Sequence, residues 1–226
     1  MHSARPGAAE MPTRPKLLLF DLDGVLTDYS RELRCRQLAF ALDTNEDAIH
    51  QALFKRGLED RCDRGELALA DYLDILRTDY GWNLPEDDFI AARRASTQAR
   101  PAMLALCEQL STQAALGVFT NNGVWLGEHA HFIVPELMPI FRSRFVCSGS
   151  VGICKPEPEA YGACLNRLGF NAYSTLYIDD RAENVEGARA AGLDAIRFED
   201  EPTLAAKLQD YEFDPIDLQA SPTGMH

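Results

Sequence analysis

Basic residues, paired cysteines and long apolar stretches are all scarce in this chain of 226 residues, and each shortage removes a class of function. Only 22 Lys and Arg stand against 35 Asp and Glu, a formal net charge of −13. A surface of that sign repels a nucleic-acid backbone and an anionic bilayer, both of which are held by clustered Lys and Arg. Nucleic acid and membrane are therefore excluded as expected partners, whereas small anions respond to local fields and stay open. No window approaches the roughly 18 apolar residues of a membrane helix, and residues 1–14 hold no apolar run that serves as a signal-peptide core. The expected location is the cytoplasm. The six cysteines (Cys35, Cys62, Cys107, Cys147, Cys154, Cys164) show no Cys-x-x-Cys pair and no regular spacing, which argues for reduced thiols and against a disulfide scaffold or a zinc site.

What the chain does have is core-forming material: 46% hydrophobic and 25% charged residues, the balance of a soluble globular protein. Its length allows one large domain or a core with a smaller insertion. Continuous apolar runs at 16–20, 115–119, 176–178 and 195–198, with a shorter one at 144–147, lack the alternation of a half-exposed strand and suit strands buried on both faces of a parallel sheet. Helical patterns such as Met103, Leu106, Leu110 and Tyr161, Cys164, Leu165, Leu168 lie between them. Alternation of this kind predicts an α/β fold, a doubly wound (Rossmann-like) parallel sheet. Residues 29–100 break the alternation: three or four helical patterns and no strand-like run predict an inserted helical cap. The expected organisation is a core of 16–28 plus 101–213, a cap of 29–100, and loosely attached tails at 1–15 and 214–226.

Chemistry collects just after the predicted strands. Asp21-Leu22-Asp23-Gly24 follows the first, Thr120-Asn121-Asn122-Gly123 the second, Lys155-Pro156 comes soon after the third and Asp179-Asp180 follows the fourth. The carboxyl ends of strands in an open parallel sheet share one edge, where ligand crevices form. Asp21 and Asp23, two apart on extended backbone, point to the same side and repel unless a cation or a shared proton intervenes. With Asp179 and Asp180 the edge holds up to four carboxylates, a hard oxygen set that calls for Mg²⁺. Alone, an Asp-x-Asp is as readily a turn or a helix cap. Thr120, Asn121 and Lys155 offer a hydroxyl, an amide and an ammonium, donors suited to phosphoryl oxygens. The bland alternatives are an ordinary turn for Thr120 and a solvated lysine before a helix starting at Pro156; Lys155 also serves as an ion-pair partner for the carboxylates.

The strings LLLFDLDGVLTD, FTNNG, ICKPEPEAY and YIDDRAENVEGARAAG, in this order, resemble the four motifs of the haloacid dehalogenase-like hydrolase superfamily. The resemblance runs from about residue 16 to 198. The insertion is similar to the helical-cap subclass, and the wording around Lys155 and Asp179-Asp180 is most similar to the glucose-1-phosphate-type phosphatases and the N-terminal phosphatase domain of soluble epoxide hydrolase. The resemblance implies a nucleophilic Asp21 that becomes an aspartyl-phosphate. It implies Asp23 as general acid and then base, with its backbone carbonyl toward Mg²⁺. Asp21 and Asp180 are the implied side-chain metal ligands, Asp180 lying twelve residues before Gly192, and Asp179 binds directly or through water. Thr120 and Asn121 are the implied holders of the phosphoryl oxygens, and Lys155 the neutralising cation.

Two departures bear on the reading. The superfamily's dehalogenases typically carry an aromatic residue where this chain has Asp23, so Asp23 favours phosphoryl transfer over C–halogen cleavage. Asn184 stands where many relatives carry a second acid; it thins the metal shell or only orients a ligand. The implied activity is a Mg²⁺-dependent phosphatase acting on a small phosphorylated metabolite, a sugar phosphate or similar monoester. The alternatives are a phosphomutase, a haloacid dehalogenase or a non-catalytic phosphate-ester-binding protein. Neither the individual substrate nor the oligomeric state is legible.

Other features read blandly. His129 and His131 lack a third partner for zinc. Gly149-Ser150-Val151-Gly152 is not a dinucleotide fingerprint. Arg93, Arg94 and Arg100 suggest a solvated helix face. Of the two tryptophans, Trp82 suits the cap core and Trp125 is a candidate for substrate contact.

Overall fold

Strand β1 (Leu17–Phe20) is buried along its whole length in the computed structural model, which describes residues 14–219. The chain then leaves the sheet through a short strand, β2 (Thr27–Tyr29). It runs through α1 (Arg31–Ala41), α2 (Glu46–His50), a π-helical turn at Gln51–Lys55, α3 (Leu58–Asp63), α4 (Leu69–Tyr80) and α5 (Glu86–Ala95), and returns through β3 (Thr97–Ala99). Ser30 and Asn45 start α1 and α2 by accepting from Leu33 N and Ala48 N with their side chains, and Gly81, at φ 72°, ends α4. There follow α6 (Pro101–Leu110), β4 (Ala115–Thr120), three short helices α7 (Val124–Glu128), α8 (Ala130–Ile133) and α9 (Met138–Phe141), then β5 (Phe145–Cys147), α10 (Pro158–Leu168), β6 (Thr175–Asp179), α11 (Ala182–Ala190), β7 (Asp194–Arg197) and α12 (Glu201–Gln209).

The sheet has the order β5-β4-β1-β6-β7, and every pairing in it is parallel. All five predicted strands are present, each within two residues of its apolar run. Phe20 lies opposite both Val118 and Ile178, so Asp21, Thr120 and Asp179 emerge together at the carboxyl edge. From β1 the chain goes to β4 and β5 on one side and then crosses to β6 and β7 on the other, which makes the edge between β1 and β6 the switch point at which such sheets open a crevice. Residues alternate between two apolar layers: Leu17 and Leu19 pack with Tyr161 and Tyr177, while Leu18 and Phe20 face a layer continuous with cap residues Leu53, Tyr72 and Phe89. Each such buried side chain contributes about 1.5–3 kcal/mol, so cap and core are joined by a shared apolar layer as well as by their two connecting segments.

Two features differ from the sequence expectation. The cap region is not free of strand: β2 and β3 pair antiparallel, Thr27 opposite Ala99 and Tyr29 opposite Thr97, forming a ribbon where the chain enters and leaves the cap. Strands of three residues carry too little periodicity to be read, and each owes its existence to a partner far along the chain. Of the tails expected to be loose, residues 1–13 and 220–226 lie outside the described residues. Among the described residues, Gln109 holds Asp217 through both its amide atoms (2.8 and 2.9 Å), and Gln113 accepts from Asp214 N at 2.8 Å, so 214–217 is pinned to α6 and the turn that follows it. Among the described residues no helix is long and apolar enough to cross a membrane.

Candidate active site

Lys155 stands at the centre of the floor. Its ammonium, buried to 4% exposure, lies 2.8 Å from Asp21 Oδ1 and 2.9 Å from Asp179 Oδ2. It also donates to the Phe119 carbonyl at 3.0 Å and to the Tyr177 hydroxyl at 2.8 Å. Both carboxylates raise the Lys155 pKa against the burial that lowers it. Asp179 is surrounded by donors: besides Lys155 it accepts from the Tyr177 hydroxyl, from Arg181 N at 2.9 Å and from Asn184 Nδ2 at 2.9 and 3.1 Å. Burial pushes the Asp179 pKa up, but Lys155 and these donors outweigh it and hold it below the ordinary carboxylate value. Asn184 thus orients Asp179.

Asp21 is the contrasting carboxylate. Its Oδ1 accepts from Leu22 N at 2.7 Å and meets Lys155, while Oδ2 accepts no hydrogen bond among the described residues. Burial outweighs the attraction of Lys155, Asp179 adds repulsion, and the pKa is pushed up to about 7. Asp180 is also raised, by burial and then by Asp179, and its buried Oδ1 has no partner among the described residues. Carboxylate oxygens of Asp21, Asp179 and Asp180 lie within 4.8 Å of one another. Three clustered carboxylates, one with an orphaned buried oxygen, fit a hard divalent cation. Gly24 closes over this cluster at φ 95°, where an added Cβ would stand 2.7 Å from Asp180 Oδ2; the turn requires a residue without a side chain.

Asp23 lies outside the three-carboxylate cluster and faces the cap. Its carboxylate takes Arg93 NH2 at 2.6 and 2.8 Å and the Thr27 hydroxyl at 3.0 Å. Arg93 belongs to α5 and is 1% exposed, its guanidinium 3.6 Å from the Tyr29 ring centroid. The expectation of a solvated arginine face is therefore corrected for Arg93. The signal was available: Arg93 follows Phe89 by four residues on the buried stripe of α5. Arg94 is half-buried and pairs with Glu136 at 3.2 Å.

Thr120 and Asn121 stand on the same edge but differ in what they have left to offer. Thr120 Oγ1 accepts from Asn122 Nδ2 at 2.8 Å, which leaves its own O–H to donate. The Asn121 amide is engaged at both ends, Nδ2 to the Lys155 carbonyl at 2.8 Å and Oδ1 from Lys155 N at 2.9 Å, and so ties the second strand-end loop to the third. The sequence reading missed Tyr177, although it precedes Asp179 by two residues in β6 and so shares its face.

These groups open into a cavity of about 320 Å³ beneath the cap, the size of a small-molecule site. The cap wall includes Arg34, whose guanidinium pairs with Glu59 at 3.0 Å while the Tyr72 hydroxyl donates to Glu59 at 2.6 Å. Trp125, a candidate for substrate contact, is buried against Phe89, ring centroids 5.0 Å apart, and does not line the cavity. His129 contacts the Trp125 carbonyl at 2.8 Å and Glu86 at 3.6 Å, and joins no metal-ligand cluster among the described residues.

A sequence profile for haloacid dehalogenase-like hydrolases matches residues 15–192. A phosphatase of Mycobacterium tuberculosis is 34% identical over 108 residues, 48% of this chain and 48% of that protein. Bifunctional epoxide hydrolase 2 of Mus musculus is 26% identical over 196 residues, 79% of this chain and 35% of that protein. This chain thus spans about half of the former and about a third of the latter. A glyceraldehyde 3-phosphate phosphatase of Methanopyrus kandleri is 23% identical, covering 88% of this chain and 93% of that protein. Among solved structures, a haloacid dehalogenase-family enzyme of Bacteroides thetaiotaomicron in complex with magnesium and inorganic phosphate superposes with a TM-score of 0.69 at 22% identity, covering 84% of this chain and 98% of that one. That likeness establishes the fold. With the profile extending over most of the chain, from the strand before Asp21 to the helix after Asp180, this protein belongs to the haloacid dehalogenase-like hydrolase family.

Proposed function

We propose that the protein is a Mg²⁺-dependent phosphomonoesterase that turns over through an aspartyl-phosphate on Asp21. The observation that carries this reading is the division of labour between two carboxylates two residues apart. Asp21 is fixed through Oδ1 by Lys155 and Leu22 N, which leaves Oδ2 to attack. Asp23 is turned to the cap side, where the leaving group of an ester has to lie.

In the first half-reaction Asp21 Oδ2 bonds to phosphorus and the P–O bond to the leaving group breaks, while Asp23 delivers its proton to the departing oxygen. In the second, Asp23 takes a proton from a water that attacks the phosphorus of the aspartyl-phosphate, and the P–O bond to Asp21 breaks to return the carboxylate. The Thr120 hydroxyl donates to a non-bridging oxygen, and Lys155 neutralises Asp21 throughout. Asn121 acts by fixing the Lys155 backbone. Asp21 and Asp180 would hold Mg²⁺ through their side chains, together with the Asp23 backbone carbonyl, while Asp179, already engaged by Lys155, Tyr177 and Asn184, would orient the floor or bind through water; the bound cation would supply the positive charge that lets an anionic carboxylate approach an anionic phosphoryl group. Because Arg93 comes from the cap, the placement of the Asp23 carboxyl is tied to cap position.

The test is hydrolysis of p-nitrophenyl phosphate. Turnover is expected with Mg²⁺ and not with excess chelator, and Asp21→Asn is expected to lower kcat by about 10⁴-fold or more. Full activity in Asp21→Asn would refute the mechanism.

A further inference from the structure

Carboxylate oxygens of Asp21, Asp179 and Asp180 lie within 4.8 Å of one another, so distance alone admits all three as ligands of one cation. Their hydrogen bonds do not. An ionised carboxylate offers about four lone-pair sites, and four donors already point at Asp179. Lys155 Nζ at 2.9 Å and the Tyr177 hydroxyl reach Oδ2, Arg181 N at 2.9 Å reaches Oδ1, and Asn184 Nδ2 lies 2.9 Å from Oδ2 and 3.1 Å from Oδ1. The Asp179 side chain is fully buried among them, which leaves no lone pair for a metal. Asp180 Oδ1, by contrast, has no partner among the described residues.

Tyr177 completes this saturation. Four oxygens stand within 3.0 Å of Lys155 Nζ: Asp21 Oδ1, Asp179 Oδ2, the Phe119 carbonyl and the Tyr177 hydroxyl. An ammonium has only three hydrogens. The O–H that Tyr177 donates to Asp179 is the fourth, and it leaves Lys155 a hydrogen for Asp21. Packing does not ask for this hydroxyl: the Tyr177 ring meets Tyr161 edge-on with centroids 5.2 Å apart, a contact that Phe would make equally well.

We propose that Tyr177 is a positioning residue that withholds Asp179 from the cation and keeps it as the counter-ion of Lys155. Asn184 assists from α11 by filling the other side of the same carboxylate. Asp21 and Asp180 then match the charge of Mg²⁺ between them, whereas a third carboxylate would make the centre net negative toward an anionic ester. The proposal rests on the reading of Asp21 and Asp180 as the metal ligands.

The experiment measures binding of Mg²⁺ to the full-length protein without substrate, by competition against Mn²⁺ whose free form is read by electron paramagnetic resonance. Tyr177→Phe returns a lone pair of Asp179 to the site and should bind Mg²⁺ about 10-fold more tightly, the lower end of the scale on which outer contacts tune a metal centre. Its kcat for p-nitrophenyl phosphate should fall about 10-fold with little change in KM, because Lys155 is drawn toward Asp179 and away from Asp21. Opposite movement of affinity and kcat is what a merely structural role does not produce, since a damaged floor binds metal more weakly. Should Tyr177→Phe fold poorly, Asn184→Leu, which removes a donor to Asp179 from α11, is read in the same way. Tyr161→Phe deletes another buried hydroxyl of the same layer, one that donates to the Asn184 carbonyl at 2.6 Å, and should leave Mg²⁺ affinity unchanged. Unchanged or weaker Mg²⁺ binding in Tyr177→Phe, or equal tightening in Tyr161→Phe, would overturn the proposal. Binding is read apart from turnover, so the two levels separate. Tighter binding in Tyr177→Phe with no hydrolysis by the wild type keeps the proposal and rejects the phosphatase reading; hydrolysis by the wild type with equal affinities does the reverse.

Discussion

The floor of the site and its cap wall are built on opposite principles. On the floor, Lys155, Asp179, Tyr177, Asn184 and Asn121 satisfy one another, and the exceptions are Asp21 Oδ2 and Asp180 Oδ1, the atoms a phosphoryl group and a cation need. On the wall, ion pairs hold Arg34 and Arg93 in place, and Nε of each and Oδ1 of Asp63 have no partner among the described residues. The floor is organised around its two free oxygens, whereas the charges of the wall are spent on one another and on Asp23. A chemistry common to many substrates belongs on rigid strand ends, and the choice among substrates belongs on the insertion.

The most severe way to break this contrast is to remove the ammonium on which the floor depends. Lys155→Met leaves Asp21 and Asp179 as buried carboxylates without their shared cation, and loss of one partner of a buried pair costs about 3–5 kcal/mol. Metal-free protein should lose that much stability in urea denaturation, with Mg²⁺ restoring part of it. A loss below about 1 kcal/mol would mean that the floor is not organised by Lys155.

Next in size is the link between the two regions. Arg93→Ala removes the guanidinium from Asp23 and from the Tyr29 ring. We expect kcat to fall by about 10- to 100-fold, the scale on which a supporting residue acts, with a smaller change in KM and a changed pH–rate profile. Arg93→Lys keeps the charge but loses the planar guanidinium stacked on Tyr29 and should recover only part of kcat. Equal losses with no change in the pH profile would make Arg93 a structural residue of the cap alone.

The floor also predicts a pH dependence of metal binding. Asp21 in the folded protein, at about 7, lies above the ~3.9 of an unfolded aspartate. Without metal, its contribution to stability is complete below about pH 4 and is lost as pH rises through about 7. A divalent cation competes with that same proton, so the rise in Tm caused by Mg²⁺ should be larger at pH 8 than at pH 6. Asp21→Asn should flatten the difference; a Mg²⁺ effect independent of pH would place the cation away from Asp21.

How much of each region was legible follows from the same contrast. The floor lies at the ends of β1, β4 and β6, whose unbroken apolar runs mark the sheet, and Asp21, Thr120 and Asp179 follow those runs directly in sequence. Tyr177 was missed because an aromatic inside a strand reads as core until its hydroxyl is given a partner. The wall comes from helix faces. Arg93 beside Arg94 looks like solvent-facing charge, and Arg34 and Asp63 gain meaning only when α1, α3 and α5 are folded over the sheet edge. Sequence spacing gives the face of a helix but not what it faces. The ribbon of β2 and β3 was hidden for a related reason, since pairing between distant segments leaves no local pattern.

The smallest effects should come from the seam that seats the wall on the floor. There the α3 end reaches the core: the Ser148 hydroxyl donates to the Asp63 carbonyl at 2.7 Å, and Arg64 pairs with Glu157 at 3.1 Å. Both members of that pair are about half exposed, so Glu157→Gln should change stability by less than about 1 kcal/mol. Gly65 is more exacting. At φ 72° an added Cβ would stand 2.3 Å from the Gly149 carbonyl oxygen, and backbone on both sides leaves little freedom to yield. Gly65→Ala should therefore lift the Asp63 end of α3 from the core. If the cap wall grips the leaving group, KM for p-nitrophenyl phosphate should rise several-fold with a smaller change in kcat. An equal fall in kcat would show that the seam serves the floor as well, and the division between the two regions would have to be redrawn at Ser148.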